Sequence, residues 1–125
     1  MIVGIGTDLV EVSRLSKSIA SFGSKFTERV FTAGERSYAE SKANSVERFA
    51  ARFAAKEAAM KALGTGWAGG VSWTQIEVVN DTDGKPRLVL HGVAKELADQ
   101  MGVKRIWLSL THTEQMACAF VVFEG

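Results

Sequence analysis

Between Asn44 and Gly64 the chain carries its longest helical pattern, and no other segment constrains the fold as strongly. Asn44-Ser45-Val46-Glu47 has the form of a capping box, the pattern runs to Leu63, and Gly64 closes it, with Thr65 and Gly66 continuing the break. At about 100° per residue, Val46, Phe49, Ala50, Phe53 and Met60 form one apolar stripe, and Glu57 points into its middle. A carboxylate placed there must be paired, protonated or bound to a cation, because burying it ionised and alone costs several kcal/mol. The plain alternative is a helical pair with Lys61, which on an exposed helix is worth only about 0.2–0.5 kcal/mol.

The remaining pattern alternates short strands with short helices. Ile2 to Gly6 reads as an apolar strand ending at Thr7-Asp8, followed by a helix with Val12, Leu15, Ile19 and Phe22 on one face and Gly23 as its stop. Thr32-Ala33-Gly34-Glu35 is a capping box that opens a second, short helix. Gln75 to Val79 and Arg87 to Leu90 flank an Asp-Gly turn that contains Pro86, the only proline, and form a hairpin. Val93, Leu97 and Met101 mark a further helix before Gly102. Ile106 to Leu110 and Met116 to Phe123 then pair around the loop from Thr111 to Glu114. The sum is an α+β fold with a largely antiparallel sheet, one long helix and several short ones.

Composition narrows the function classes. The 125 residues suit a single domain, 1–125, with a core that needs neither disulfides nor a structural metal. Fifteen Lys and Arg against fourteen Asp and Glu exclude the strongly basic signature of a general nucleic-acid binder, so no nucleic-acid partner is expected. The longest apolar run, Met116 to Phe123, is too short to span a bilayer, and the N-terminus has no leader pattern. A cytoplasmic protein with no membrane partner is the expectation. Cys118 is the only cysteine, which rules out an internal disulfide, and its place in a strand pattern predicts buried packing.

Asp8 either ends its strand where side chains become free to build a site, or caps the helix that follows. Together with Glu57 it suggests a site for Mg²⁺, an ion typically held by one or two carboxylates that takes its other ligands from water and phosphate. Gly4-Ile5-Gly6 is not a dinucleotide fingerprint, since Leu9 stands where the third glycine belongs. Lys61 with Gly64 and Gly66 offers a phosphate contact, or only a helix stop. His112, flanked by Thr111 and Thr113, has donors suited to phosphate, although a loop histidine is often simply exposed. Arg14, Lys17, Lys25 and Arg29 concentrate positive charge in the first quarter, as a solvated face or as a docking surface for an acidic protein.

Gly4-Ile5-Gly6-Thr7-Asp8-Leu9-Val10-Glu11, and the segment from Arg52 through Lys56-Glu57 and Lys61 to Gly66, resemble the two signature motifs of the bacterial holo-[acyl-carrier-protein] synthase family of 4′-phosphopantetheinyl transferases. The resemblance extends over Arg29 to Thr32 with Glu35, Gly84-Lys85-Pro86, and Ser109 to Thr113, so it covers essentially the whole chain. It implies a 4′-phosphopantetheinyl transferase-like fold. It also implies Mg²⁺-dependent transfer of the phosphopantetheine arm of coenzyme A to a serine of apo acyl carrier protein, with release of adenosine 3′,5′-bisphosphate, in support of fatty acid biosynthesis. By the resemblance Asp8 and Glu57 hold the metal and Lys61 contacts the pyrophosphate. Arg52, Gly64, Pro86, His112 and Thr113 fall at coenzyme A contacts, with His112 near the 3′-phosphate, and Arg14 resembles the basic residues of the first helix that dock the carrier protein, a role the charge reading extends to Lys17. The family is homotrimeric, with sites between subunits. Glu57 or a metal-bound water would take the serine proton, and Glu35 is a weaker candidate because its capping box already explains it. Two other readings stay open from the residues alone: a non-catalytic coenzyme A or nucleotide-binding module, and a purely structural domain.

Overall fold

A computed structural model describes residues 1–64, 66 and 69–125. The elements run β1 (Ile2–Glu11), α1 (Val12–Phe22), α2 (Ser24–Val30), α3 (Ala33–Glu40), α4 (Ser45–Leu63), one 3₁₀ turn (Trp73–Gln75), β2 (Ile76–Asn80), β3 (Pro86–Leu90), α5 (Gly92–Gln100), β4 (Arg105–His112) and β5 (Met116–Glu124). The strands form an antiparallel sheet of order β1-β5-β4 and a separate antiparallel hairpin, β2-β3. The α+β architecture expected from the alternating pattern is the one observed.

The α4 helix lies on one face of the three-stranded sheet, and two glycines set how closely. A Cβ on Gly6 would stand 1.9 Å from the carbonyl oxygen of Ala58, and one on Gly4 would stand 2.5 Å from that of Ala62. Strand and helix backbones therefore touch, which only glycine permits. On the other side α4 meets α1, α3 and β2, so it is covered almost all round. Phe49, Ala50, Phe53, Ala54, Ala58, Met60 and Leu63 are all buried.

This double burial corrects the single-stripe reading of α4. Glu57 is only partly buried, whereas its neighbour Lys56 is fully buried and Arg52 nearly so. Lys56 Nζ donates to Glu35 Oε1 at 2.7 Å, to the Trp73 carbonyl at 3.1 Å and to the Ile76 carbonyl. Glu35 also accepts from the backbone N–H of Thr32 (2.9 Å) and of Val78 (2.9 Å). The Thr32–Glu35 capping box is formed, and its glutamate doubles as the buried counter-ion. A carboxylate engaged in this way has no exposed oxygen with which to take a proton.

The network continues toward the surface. Thr32 Oγ1 donates to Glu77 Oε2 at 2.7 Å, and His91 Nε2 lies 3.0 Å from Glu77 Oε1. Burial pushes the Glu77 carboxyl up, but the hydrogen bonds from Thr32 and His91, with the charges of His91 and Lys56, outweigh it and hold the group below its ordinary value of 4.5. A lowered carboxylate pKa adds stability above the unfolded-state value, and that stability is lost as pH falls through the folded-state value. In urea titrations, wild type is therefore expected to exceed Glu77→Gln in stability at pH 7, and the gap to close as pH drops below 4.5. A gap independent of pH would overturn this assignment.

Other boundaries also differ from the sequence reading. β1 does not stop at Asp8 but continues to Glu11, pairing Asp8 with Ala119, so Asp8 neither ends a strand nor caps a helix. A separate helix, α2, follows Gly23, an element that the sequence reading does not include. Phe22 is exposed, because α1 ends beyond the part of its face that the core covers. Pro86 is the first residue of β3 rather than part of the turn, a position where its missing N–H is tolerated. Cys118 is half-buried rather than core, because in β5 it alternates with the buried Ala117 and Ala119 and so faces away from α4.

Candidate active site

The close approach of β1 to α4 brings the first cluster together. Gly4, Gly6 and Asp8 alternate onto the same, helix-facing side of the strand. Lys61 Nζ, on the last turn of α4, donates to Asp8 Oδ1 at 3.1 Å and to the Thr7 carbonyl at 2.9 Å. Asp8 is 18% exposed at its side chain and Lys61 57%, so a charged ligand can reach the pair from solvent. Glu57 lies one turn before Lys61 on α4 and is partly buried. Gly64 ends the helix in the left-handed conformation (φ 80°), with its N–H bonded to the Met60 carbonyl. Thr65 lies outside the described residues.

A second cluster forms at the other half of α4. Arg52 precedes Lys61 by nine residues, about 14 Å of helix. It lines a cleft of about 170 Å³ together with Tyr38, Arg48, Asn80, Pro86 and His112. The Arg52 guanidinium donates to Asn80 Oδ1 at 2.5 Å and its Cζ lies 4.1 Å from the centre of the Tyr38 ring. Its Nε is buried without a hydrogen-bond partner among the described residues. Burial pushes the guanidinium pKa down, against the opposing charge of Glu35, so the group gains from an anion beside it.

His112 is the last residue of β4, not a loop residue, and pairs with Ala117. Its Nδ1 lies 3.0 Å from Glu47 Oε1, with both side chains about one-fifth exposed. Thr113 sits in the turn beyond it, and its Oγ1 accepts from the backbone N–H groups of Gln115 (3.2 Å) and Met116 (3.1 Å). The capping box expected at Asn44–Glu47 does not form. Asn44 makes no side-chain cap, its Oδ1 accepts from Arg48 Nε at 3.2 Å, and Glu47 is drawn to His112.

On the first helix Arg14 and Lys17 are exposed, as are Lys25 and Arg29 on α2. The Arg14 guanidinium rests 5.3 Å from the centre of the Phe53 ring, which in turn stacks on Trp73 at 5.0 Å. The chain thus gathers Asp8, Glu57, Lys61 and Gly64 at one end of α4, Arg52, Pro86 and His112 at the other, and the basic residues on α1. Sequence reasoning missed Lys56, Asn80, Tyr38 and the diversion of Glu47. The run Ala54-Ala55-Lys56 held a signal for the first of these: once its alanines are counted as core, the polar strip left on α4 runs through Glu47, Glu57 and Lys61, and Lys56 lies off it.

Comparison with known proteins gives a consistent result. The profile of the 4′-phosphopantetheinyl transferase superfamily matches residues 4–121. A holo-[acyl-carrier-protein] synthase of Solibacter usitatus is 56% identical over 125 residues, covering 100% of both chains. The crystal structure of holo-[acyl-carrier-protein] synthase from Neisseria meningitidis superposes with a TM-score of 0.90 at 39% identity, over 100% of both chains. The synthase from Bacillus anthracis, solved in complex with CoA (3′,5′-ADP), gives a TM-score of 0.81 at 40% identity, over 98% of this chain and 96% of its own.

Proposed function

The chain belongs to the holo-[acyl-carrier-protein] synthase family of the 4′-phosphopantetheinyl transferase superfamily, and from that premise we propose that it moves the phosphopantetheine arm of coenzyme A onto a serine of apo acyl carrier protein. The reading includes a role in fatty acid biosynthesis, a cytoplasmic location and a single catalytic domain. The observation that carries it is the meeting of Asp8 with Lys61 on the helix that bears Glu57. Among the described residues no group of three or more His, Cys, Asp or Glu could hold an ion. An ion at Asp8 and Glu57 would complete its shell from water and pyrophosphate oxygens, a donor set of hard oxygens that fits Mg²⁺. When bound, Mg²⁺ would neutralise charge on the pyrophosphate linkage as adenosine 3′,5′-bisphosphate leaves.

The chain's own residues do the rest by position and charge. Lys61, held by Asp8 and the Thr7 carbonyl, presents its remaining N–H to the pyrophosphate, and Gly64 lets the backbone approach it. Arg52 and His112 hold the nucleotide phosphate end, with Pro86 forming a rigid wall and Thr113 flanking the cleft. The serine hydroxyl attacks the β-phosphorus, the bond from that phosphorus to the bridging oxygen breaks so that adenosine 3′,5′-bisphosphate leaves, and the serine proton passes to Glu57 or to a water under carboxylate control. Glu35 is set aside as the base, because Lys56, Thr32 and Val78 already occupy it.

A homotrimer with coenzyme A between subunits is part of the proposal. The sheet face turned away from α4 leaves Ile5, Leu9, Trp107 and Phe120 between 44% and 64% exposed, an apolar surface suited to burial against other copies. Incubation with coenzyme A, Mg²⁺ and apo carrier protein, read by intact mass, tests the central claim: the carrier is expected to gain the phosphopantetheine mass, and no gain would overturn it. In the same assay the double variant Arg14→Glu/Lys17→Glu is expected to raise KM for carrier protein about tenfold, an effect that shrinks with added salt while KM for coenzyme A stays unchanged. A change confined to coenzyme A would remove α1 from the docking surface.

A further inference from the structure

The start of α4 leaves unused the best local cap its sequence offers. Asn44 and Glu47 are spaced to satisfy the first backbone N–H groups of the helix, yet neither side chain does so. Both are drawn to residues of the same cleft: Asn44 Oδ1 accepts from Arg48, and Glu47 Oε1 meets His112 from 65 residues away. An ionised carboxylate only accepts hydrogen bonds, so the Nδ1 of His112 carries a proton and donates it. That fixes the ring's rotation and leaves Nε2 with no protein partner among the described residues, so that the ring, protonated on both nitrogens, can donate from Nε2 to a phosphate oxygen. Glu47 itself does not line the cleft, whereas Arg48, Arg52 and His112 do. An anion entering the cleft therefore meets two guanidinium groups and an imidazole, while the carboxylate stays behind the ring.

We propose that Glu47 is a positioning residue that acts through His112, orienting its Nε2 onto the 3′-phosphate of coenzyme A and so setting affinity for the nucleotide end of the substrate rather than the rate of transfer. The inference rests on the coenzyme A reading of the site. It assigns Glu47 a role that neither capping nor general surface charge supplies, and it accounts for a long helix that begins without a side-chain cap. Glu47 contacts the imidazole, and the charged or titratable groups that line the cleft with it are Arg48 and Arg52 on α4 and Tyr38 on α3.

The test compares ligands with and without the 3′-phosphate in Glu47→Ala, Glu47→Gln, His112→Ala and the Glu47→Ala/His112→Ala pair. With coenzyme A as substrate, Glu47→Ala is expected to raise KM about tenfold with kcat within about twofold of wild type, and to leave KM for 3′-dephospho-coenzyme A unchanged. Glu47→Gln, whose amide oxygen still accepts from Nδ1, is expected to recover most of the loss. The paired variant should be no worse than His112→Ala alone, because one residue works through the other. Equal losses for both substrates, or additive effects in the pair, would overturn the proposal. Calorimetric titration with adenosine 3′,5′-bisphosphate and with adenosine 5′-phosphate separates this from the question of transfer. Glu47→Ala should weaken only the bisphosphate, again about tenfold. If wild type binds the bisphosphate in that Glu47-dependent way but transfers nothing, the transferase reading fails and this one stands. If transfer is intact and Glu47→Ala leaves bisphosphate affinity unchanged, the reverse holds.

Discussion

Asp8→Asn is expected to lower the rate of phosphopantetheine transfer by about a thousandfold or more while leaving the chain folded. The substitution keeps the shape of the side chain, and its amide oxygen still accepts from Lys61, which is held in addition by the Thr7 carbonyl at 2.9 Å. What it removes is the negative charge. With that charge gone the site loses one of the two carboxylates that fit a divalent ion, and Lys61 loses the anion that steadies it. Glu57→Gln should behave in the same way. The measurement is intact-mass progress of apo carrier protein under saturating coenzyme A and Mg²⁺, with urea midpoints showing that the fold persists. Transfer within tenfold of wild type in either variant would remove that residue from the reacting centre.

The largest effect on stability is expected from Lys56→Met, about 3–5 kcal/mol. Lys56 and Glu35 have fully buried side chains at 2.7 Å, and the ammonium also serves two carbonyls, those of Trp73 and Ile76. Replacing it with methionine keeps most of the volume but strands a carboxylate in the core and takes a donor from both carbonyls, of which that of Trp73 still accepts from the Ile76 N–H. Burial pushes the Lys56 pKa down, with Glu35 opposing it, so the pair persists because each partner is satisfied rather than because the site favours charge. Adding Glu35→Gln should recover part of the loss, since a neutral amide no longer needs a counter-ion and can still accept from the backbone N–H of Val78 or Thr32. Urea denaturation of the single and double variants gives the coupling, and strict additivity would mean that the pair contributes nothing as a unit.

Much of the fold is legible in the sequence because its signals are local. Gly23 and Gly64 end their helices, Thr32 and Glu35 form their box, and β2 pairs with β3 around the turn where the Asp-Gly signal lies. The misreadings share a physical cause, which is that tertiary contacts overrode a local preference. A helical projection assumes one buried face. α4 has two, so it singled out Glu57 and passed over Lys56. Asp8 reads as a strand end because the apolar run stops there, but pairing with β5 carries the strand to Glu11 regardless of side-chain polarity. Asn44 and Glu47 read as a cap because capping is their best use within five residues, and partners distant in sequence offered a different one. The candidate residues were found as types, whereas their grouping at the two ends of α4 depends on the sheet beneath, which no spacing along the chain encodes.

Gly4 and Gly6 have a consequence for the register of the whole assembly. Side chains of a strand alternate between its faces, so a slip of β1 by one residue would turn Ile5 and Thr7 toward the helix and Asp8 away from it. The carbonyls of Ala58 and Ala62 leave no room for either side chain, given that even a single Cβ would sit 1.9 or 2.5 Å from them. The slipped pairing is therefore sterically forbidden, and the carboxylate of Asp8 can emerge only where Lys61 meets it. Two absent methyl groups serve as the phase reference of the molecule, so that a packing constraint at the start of the chain determines where its charge is delivered.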